Sequence, residues 1–150
     1  MQRLLSVPLI GKLIANGISE STMTSGIRSV LGNRYVSQSD IDALWLGMSR
    51  QNGHKLSPKL LNYNRERKDH GHRWFDALIT FRPPLQLIWG MLDPVSGVDV
   101  LAAARPYLPD AEIVPLPDVG HFPHLEAPHD VSVALRSFLL KKEAAHHAVS

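Results

Sequence analysis

The sequence of 150 residues contains no cysteine. That excludes disulfides, thiolate zinc sites, iron–sulfur clusters and a cysteine nucleophile, and leaves the redox compartment unmarked. No apolar run approaches the ~20 residues that a membrane span needs. Aromatic residues are scarce, at 7%. There is no internal repeat and no low-complexity segment. What remains, 44% hydrophobic and 20% charged residues, is the composition of a globular chain with enough apolar material for a core. The stretch Met1–Ile10 is apolar, but Pro8 and Gly11 interrupt it and Lys12 follows. It reads as a broken amphipathic helix rather than a signal peptide, so the default expectation is a cytoplasmic chain without a membrane partner.

The net charge of +2 conceals an asymmetry. Residues 1–82 carry 12 Lys/Arg against 6 Asp/Glu, whereas residues 83–150 carry 4 against 8. A basic half can serve nucleic acid, but here the bases are scattered among acids and no recognition motif accompanies them. No nucleic-acid partner is therefore expected.

Residues 1–82 read as helical throughout. Leu4, Leu5, Leu9, Leu13 and Ile14 suggest one short helix, and Ser21–Leu31 a second that stops at Gly32-Asn33. Ser39 stands as the N-cap of a third, whose Ile41, Leu44, Trp45 and Met48 recur at helical spacing as far as Asn52-Gly53. Ser57-Pro58 opens a fourth, with Leu60, Leu61 and Tyr63 on its apolar side and Arg65–Asp69 solvated. His72–Thr80 continues as helix, directly or after a break. At Arg82-Pro83-Pro84 the period changes. Leu85–Trp89 predicts a buried strand, Val98–Leu108 a helix, Glu112–Leu116 a second strand, and Pro128 begins a last helix carrying Val131, Ala134, Leu135 and Phe138. Strand, helix, strand, helix predicts an α/β arrangement with a parallel strand pair and a right-handed crossover. The expected organisation is a helical region over 1–82, an α/β region over 83–142, and a frayed tail over 143–150.

Asp93 follows the first strand and His121 the second. Parallel strands send both loops to one carboxyl edge, where open α/β sheets place their sites. Neighbouring strands lie ~4.8 Å apart, so the two side chains can meet. A carboxylate behind an imidazole fixes its tautomer and stabilises the imidazolium, which is the acid–base half of a nucleophile–His–acid triad.

The run Trp89-Gly90-Met91-Leu92-Asp93-Pro94-Val95, then Gly120-His121-Phe122-Pro123-His124-Leu125-Glu126-Ala127-Pro128, resembles the C-terminal end of an α/β-hydrolase. The resemblance implies a partial α/β-hydrolase fold, a helical cap followed by the last two strands, with Asp93 as triad acid and His121 as triad histidine. Asn62-Tyr63-Asn64-Arg65-Glu66-Arg67 and Arg73-Trp74-Phe75-Asp76-Ala77-Leu78 look most like the mesoderm-specific-transcript branch, a relative of epoxide hydrolases and haloalkane dehalogenases. Through that branch Tyr63 becomes a candidate donor to a substrate oxygen, and Trp45 and Trp74 candidate walls of a substrate pocket. Core packing is the commoner role for an aromatic at each of these positions. No cofactor is implied, only a small-molecule substrate such as an ester or epoxide in the intact enzyme.

The departure from the family is the nucleophile, which in this fold precedes the acid at a strand-to-helix elbow. Gly17-Ile18-Ser19-Glu20-Ser21 and Gly47-Met48-Ser49-Arg50-Gln51 lack the closing glycine and a preceding strand. The expectation is a chain that holds cap, acid and histidine but neither nucleophile nor oxyanion loop, and that is inactive alone. A non-catalytic module pairing with another chain, or with itself, through the bare edge of strand 85–89 is the alternative. His124 and His129 near His121 are not expected to bind metal, because a site needs its ligands in fixed geometry, and the Pro-interrupted loop and the family pattern argue against one. Glu126-Ala127-Pro128 reads as a helix-start device.

Overall fold

A computed structural model describes residues 18–61, 63–81 and 84–147. The helix expected over residues 4–14 lies outside them. The described chain forms two compact units, one of residues up to 29 and 37–81, the other of 30–36 and residues from 84 onward.

The first unit is helical. Helix α1 (Glu20–Arg28) starts at Ser19, whose side chain accepts the Thr22 N–H. Helix α2 (Gln38–Ser49) is capped by Ser37, not by Ser39. Ser37 Oγ accepts the Asp40 N–H at 3.1 Å and donates to the Asp40 carboxylate at 2.6 Å. Both serines have an acid three residues on, Asp40 and Asp42, and the helix begins at Gln38, earlier than the sequence suggests, so Ser37 takes the cap. Ile41 is fully buried, and Leu44, Trp45 and Met48 are half-buried behind it.

Helix α2 ends before Asn52-Gly53. Gln51 and Asn52 both take left-handed backbone, φ 52° and 61°, within a tight 3-10 segment Arg50–Leu56. Such consecutive residues reverse the chain. Helix α3 (Ser57–Leu60) is a single turn with Pro58 in its first turn. Helix α4 (Tyr63–Phe81) then runs without a break through His70 and His72, both exposed. The expected apolar side of the fourth helix is not formed. Leu60 and Tyr63 are 69% and 50% exposed, and they fall in different helices, Ser57–Leu60 and Tyr63–Phe81.

In the second unit, β1 (Gln86–Gly90) and β2 (Glu112–Leu116) form a two-stranded parallel sheet with Leu87 opposite Ile113 and Gly90 opposite Leu116. Helix α5 (Val98–Ala104), extended by a 3-10 turn at Arg105–Tyr107, connects them. A one-turn helix α6 (Pro123–Glu126) and a long α7 (Pro128–His147) follow. Helix α7 thus continues to His147, through part of the expected tail. The core is Leu116, Val119 and Ala127, with Ile88, Val114 and Val131 packed on it.

Strand β1 is half-buried except at Gly90, not buried as its apolar run suggests. Its outer edge explains this, since no other described strand pairs with it. The Glu112 N–H donates to Leu85 and the Met91 N–H to Leu116, so alternation turns Gln86, Ile88 and Gly90 outward on β1 and Ile113 and Pro115 outward on β2. Pro115 lacks an N–H and blunts the β2 edge. The β1 edge has no such guard. The whole is a mostly helical, partial α/β fold.

Candidate active site

The Asp93 loop is built from its own sequence. The Trp89 indole N–H donates to the Gly97 carbonyl at 3.1 Å, tying the loop's far end back to β1. The Leu92 N–H bonds Val119 O at 2.9 Å, which joins this loop to the one carrying His121. Asp93 Oδ1 accepts the Val95 N–H at 2.8 Å, an Asx turn of the kind aspartate favours. Asp93 Oδ2 accepts the Ser96 hydroxyl, also at 2.8 Å.

His121 meets the same oxygen: Nδ1 lies 2.8 Å from Asp93 Oδ2. The Asp93 side chain is 9% exposed and that of His121 35%. Burial acts to raise the Asp93 carboxyl. Hydrogen bonds from His121, Val95 and Ser96 outweigh it and hold the group below its ordinary 3.8. An ionised Asp93 can only accept, so Nδ1 carries the proton and Nε2 is left as the working nitrogen. The Phe122 ring stands edge-on to the imidazole, 5.0 Å between centroids at 80°. A cavity of about 190 Å³ opens here, lined by Ile88, Trp89, Ser96, Pro123 and the pair itself. A larger hollow of about 750 Å³, against Ile113 and Pro115 of β2, has neither carboxylate nor imidazole in its wall.

The loop bearing His121 is held through its backbone. Glu126 Oε2 accepts the Gly120 N–H at 2.9 Å and Oε1 the Phe122 N–H at 3.1 Å. The His121 N–H donates to Val30 O at 2.9 Å. Glu126 Oε2 also accepts the Gly32 N–H at 2.7 Å, and the carboxylate is 5% exposed. Residues 30–36 thus act as a strap across the loop. Arg34 fastens the strap further, through Asp118 and Asp130. At Gly90 and Gly120 backbones come so close that a Cβ on either would collide with main-chain atoms. Glu126, expected only as part of a helix-start device, instead holds the His121 loop, and the strap was not expected at all. A glutamate inside an otherwise apolar Leu-Glu-Ala-Pro run was the one signal that could have pointed to the former.

The structure brings Asp93 and His121 together. Tyr63, Trp45 and Trp74 belong to the other unit. There Tyr63 has the Arg67 guanidinium over its ring, Trp45 packs against His54 at 5.5 Å, and Trp74 is 45% exposed. Ser19 caps α1 and Ser49 hydrogen-bonds Leu46 O, so neither sits on an elbow after a strand. Among the described residues no three His, Asp or Glu side chains gather as a metal site, and no helix is long and apolar enough to cross a membrane. His124 is exposed.

No family model matches the chain. It is 32% identical over 141 residues to a protein named "Putative hydrolase LipZ" of Mycobacterium tuberculosis, a match covering 93% of this chain and 49% of that protein. It is 32% identical over 105 residues to the mesoderm-specific transcript homolog protein of Homo sapiens, covering 69% of this chain and 31% of that one. The mouse mesoderm-specific transcript protein matches at 30% over 104 residues. The chain thus spans about half the length, or less, of the curated relatives it matches. These relatives support a hydrolase-like family.

Proposed function

We propose that this chain carries the acid and the histidine of an α/β-hydrolase triad, and that a nucleophile from outside these 150 residues completes it. The observation carrying this reading is the 2.8 Å contact between His121 Nδ1 and Asp93 Oδ2, at the carboxyl edge of two parallel strands. Nε2 of His121 would take the proton of the nucleophile, or of a water attacking a covalent intermediate, and return it to the leaving group. Asp93 would stabilise the imidazolium. The substrate class is an ester, epoxide or similar carbon electrophile. The mesoderm-specific-transcript branch is the proposed home, with residues 1–82 as its cap, Tyr63 a candidate donor to the substrate oxygen, and Trp45 and Trp74 candidate pocket walls.

The test is hydrolysis of p-nitrophenyl acetate. The chain alone is expected to show no saturable turnover. Mixed with the N-terminal half of the mycobacterial relative, it is expected to gain turnover that His121→Ala and Asp93→Asn abolish. Saturable turnover by the chain alone, lost in His121→Ala, would refute the inactive-alone reading.

A second reading is a non-catalytic module that pairs with another chain. The unguarded outer edge of β1, against the proline-blunted edge of β2, favours it. A monodisperse monomer in sedimentation, unchanged on raising concentration, would count against self-pairing.

A further inference from the structure

We propose that Glu126 is a positioning residue for His121, which it orients by gripping the peptide groups on either side. The inference rests on the reading of Asp93 and His121 as the acid–base pair. Three consecutive N–H groups, those of Gly120, His121 and Phe122, are all bonded, and two of the three go to the one carboxylate of Glu126. The third goes to Val30 O, and Val30 belongs to the strap whose Gly32 N–H also ends on Glu126. The peptides flanking His121 are therefore fixed by one buried group.

The physical argument is one of compensation. Glu126 is 5% exposed, no cation among the described residues is paired with it, and three main-chain donors meet its carboxylate instead. Hydrogen bonds to an ionised acceptor are roughly twice as strong as neutral ones. A carboxylate presents two equivalent oxygens, so it can hold the Gly120 and Phe122 amides at once while the imidazole between them stays free. A glutamine of the same shape would turn an NH2 group toward one of those donors. One side of the His121 peptide frame would be released, and the ring would lose its fixed approach to Asp93.

The experiment is proton and nitrogen NMR of the full 150-residue chain. The observable is the low-field Nδ1 proton of His121, assigned by its loss in His121→Ala. In the parent it is expected as a slowly exchanging line. In Glu126→Gln it should exchange at least about tenfold faster or vanish, as loss of a charge-assisted bond implies, while far-UV circular dichroism is retained. Glu126→Asp keeps the charge on a shorter arm and should fall between the two. Arg34→Ala is the control. It removes the ties to Asp118 and Asp130 while leaving the Glu126 bonds to the Gly120 and Phe122 amides, and should leave the line in place.

The proposal is overturned if Glu126→Gln keeps the exchange rate within about twofold of the parent. It is also overturned if Arg34→Ala loses the line to the same degree, or if both Glu126 variants unfold, since Glu126 is then a stability element only. Absence of a His121-dependent line in the parent would instead overturn the Asp93–His121 pairing, and with it the hydrolase reading.

Discussion

Replacing Gly90 with alanine sets two physical effects against each other. None of the described glycines has a positive φ, so alanine at this position meets no backbone-conformation penalty. Taken alone, the change would stabilise the fold by about 0.4–1 kcal/mol through the unfolded chain. The opposing effect is a collision. A Cβ on Gly90 would run into the Gly120 carbonyl oxygen and stand 2.9 Å from Val119 O, and both are main-chain atoms that cannot rotate away. Relief requires β1 to move off the 119–120 peptide, which strains the Leu92 N–H bond to Val119 O. Overpacking costs about 1–3 kcal/mol, and one weakened backbone bond about 1 kcal/mol more. The net expectation is a loss of about 2–3 kcal/mol, which for a chain of this size lowers Tm by roughly 4–12 °C. Gly26, inside α1, has nothing within 4 Å of its Cβ position. The same substitution there should stabilise by about 0.5–1 kcal/mol. Urea unfolding followed by tryptophan fluorescence measures both, Trp89 lying beside Gly90. A Gly90→Ala variant as stable as the parent, or shifted in the same direction as Gly26→Ala, would refute the close-approach argument.

The remaining expectations concern the α2 cap and acid pH. Ser37→Ala should cost about 1 kcal/mol, whereas Ser39→Ala should stay within about 0.5 kcal/mol, as read from urea midpoints. Equal effects would return the cap to Ser39. The Asp93, Asp118 and Glu112 carboxyls are held below their ordinary values, the first by hydrogen bonds that outweigh burial, the second by Arg34 and the third by Lys141. A depressed carboxyl contributes stability that is complete above its unfolded value and lost as pH falls through its folded one. Stability to urea should therefore be flat from about pH 7 to 5 and decline below about 4.5. High salt should flatten the part due to the exposed Asp118 and Glu112 pairs, and Asp93→Asn the part due to the buried carboxyl. Undiminished stability at pH 3 would contradict all three assignments.

What could be read from the sequence was what local chemistry decides. Strand β2 runs over Glu112–Leu116 as expected, and β1 is displaced by one residue, because short apolar runs bounded by Pro and Gly leave little choice. The meeting of Asp93 and His121 followed from two parallel, neighbouring strands whose loops leave one edge. Residues 30–36 were not legible. Val30 and Leu31 read as the end of a helix and Gly32-Asn33 as its stop, yet the helix ends at Arg28, and the Gly32 amide and Arg34 are partnered with residues 118–130, more than 80 positions away. Nothing periodic in Leu31-Gly32-Asn33-Arg34 announces such a strap. Leu60 and Tyr63 failed for a different reason. Helical spacing places residues on one face only while the helix is continuous, and α3 is four residues long.

Every hydrogen bond described here as shaping the Asp93–His121 pair arises within the second unit: Val95 and Ser96 on the acid, Trp89 on its loop, Glu126 and Val30 on the histidine loop. Tyr63, Trp45 and Trp74 supply none of these bonds. The unguarded edge of β1 fits the same division. Gly90 closes that edge and Asp93 lies three residues beyond it. A strand added in parallel there, ~4.8 Å away, would end beside the same carboxyl edge as Asp93 and His121. Its carboxyl end would lie beside the Asp93 loop, with β1 between it and the strand that leads to His121. On the proposed reading, pairing at this edge and completion of a triad would be coupled, and loss of the β1 edge should abolish complementation while leaving the His121 Nδ1 resonance intact.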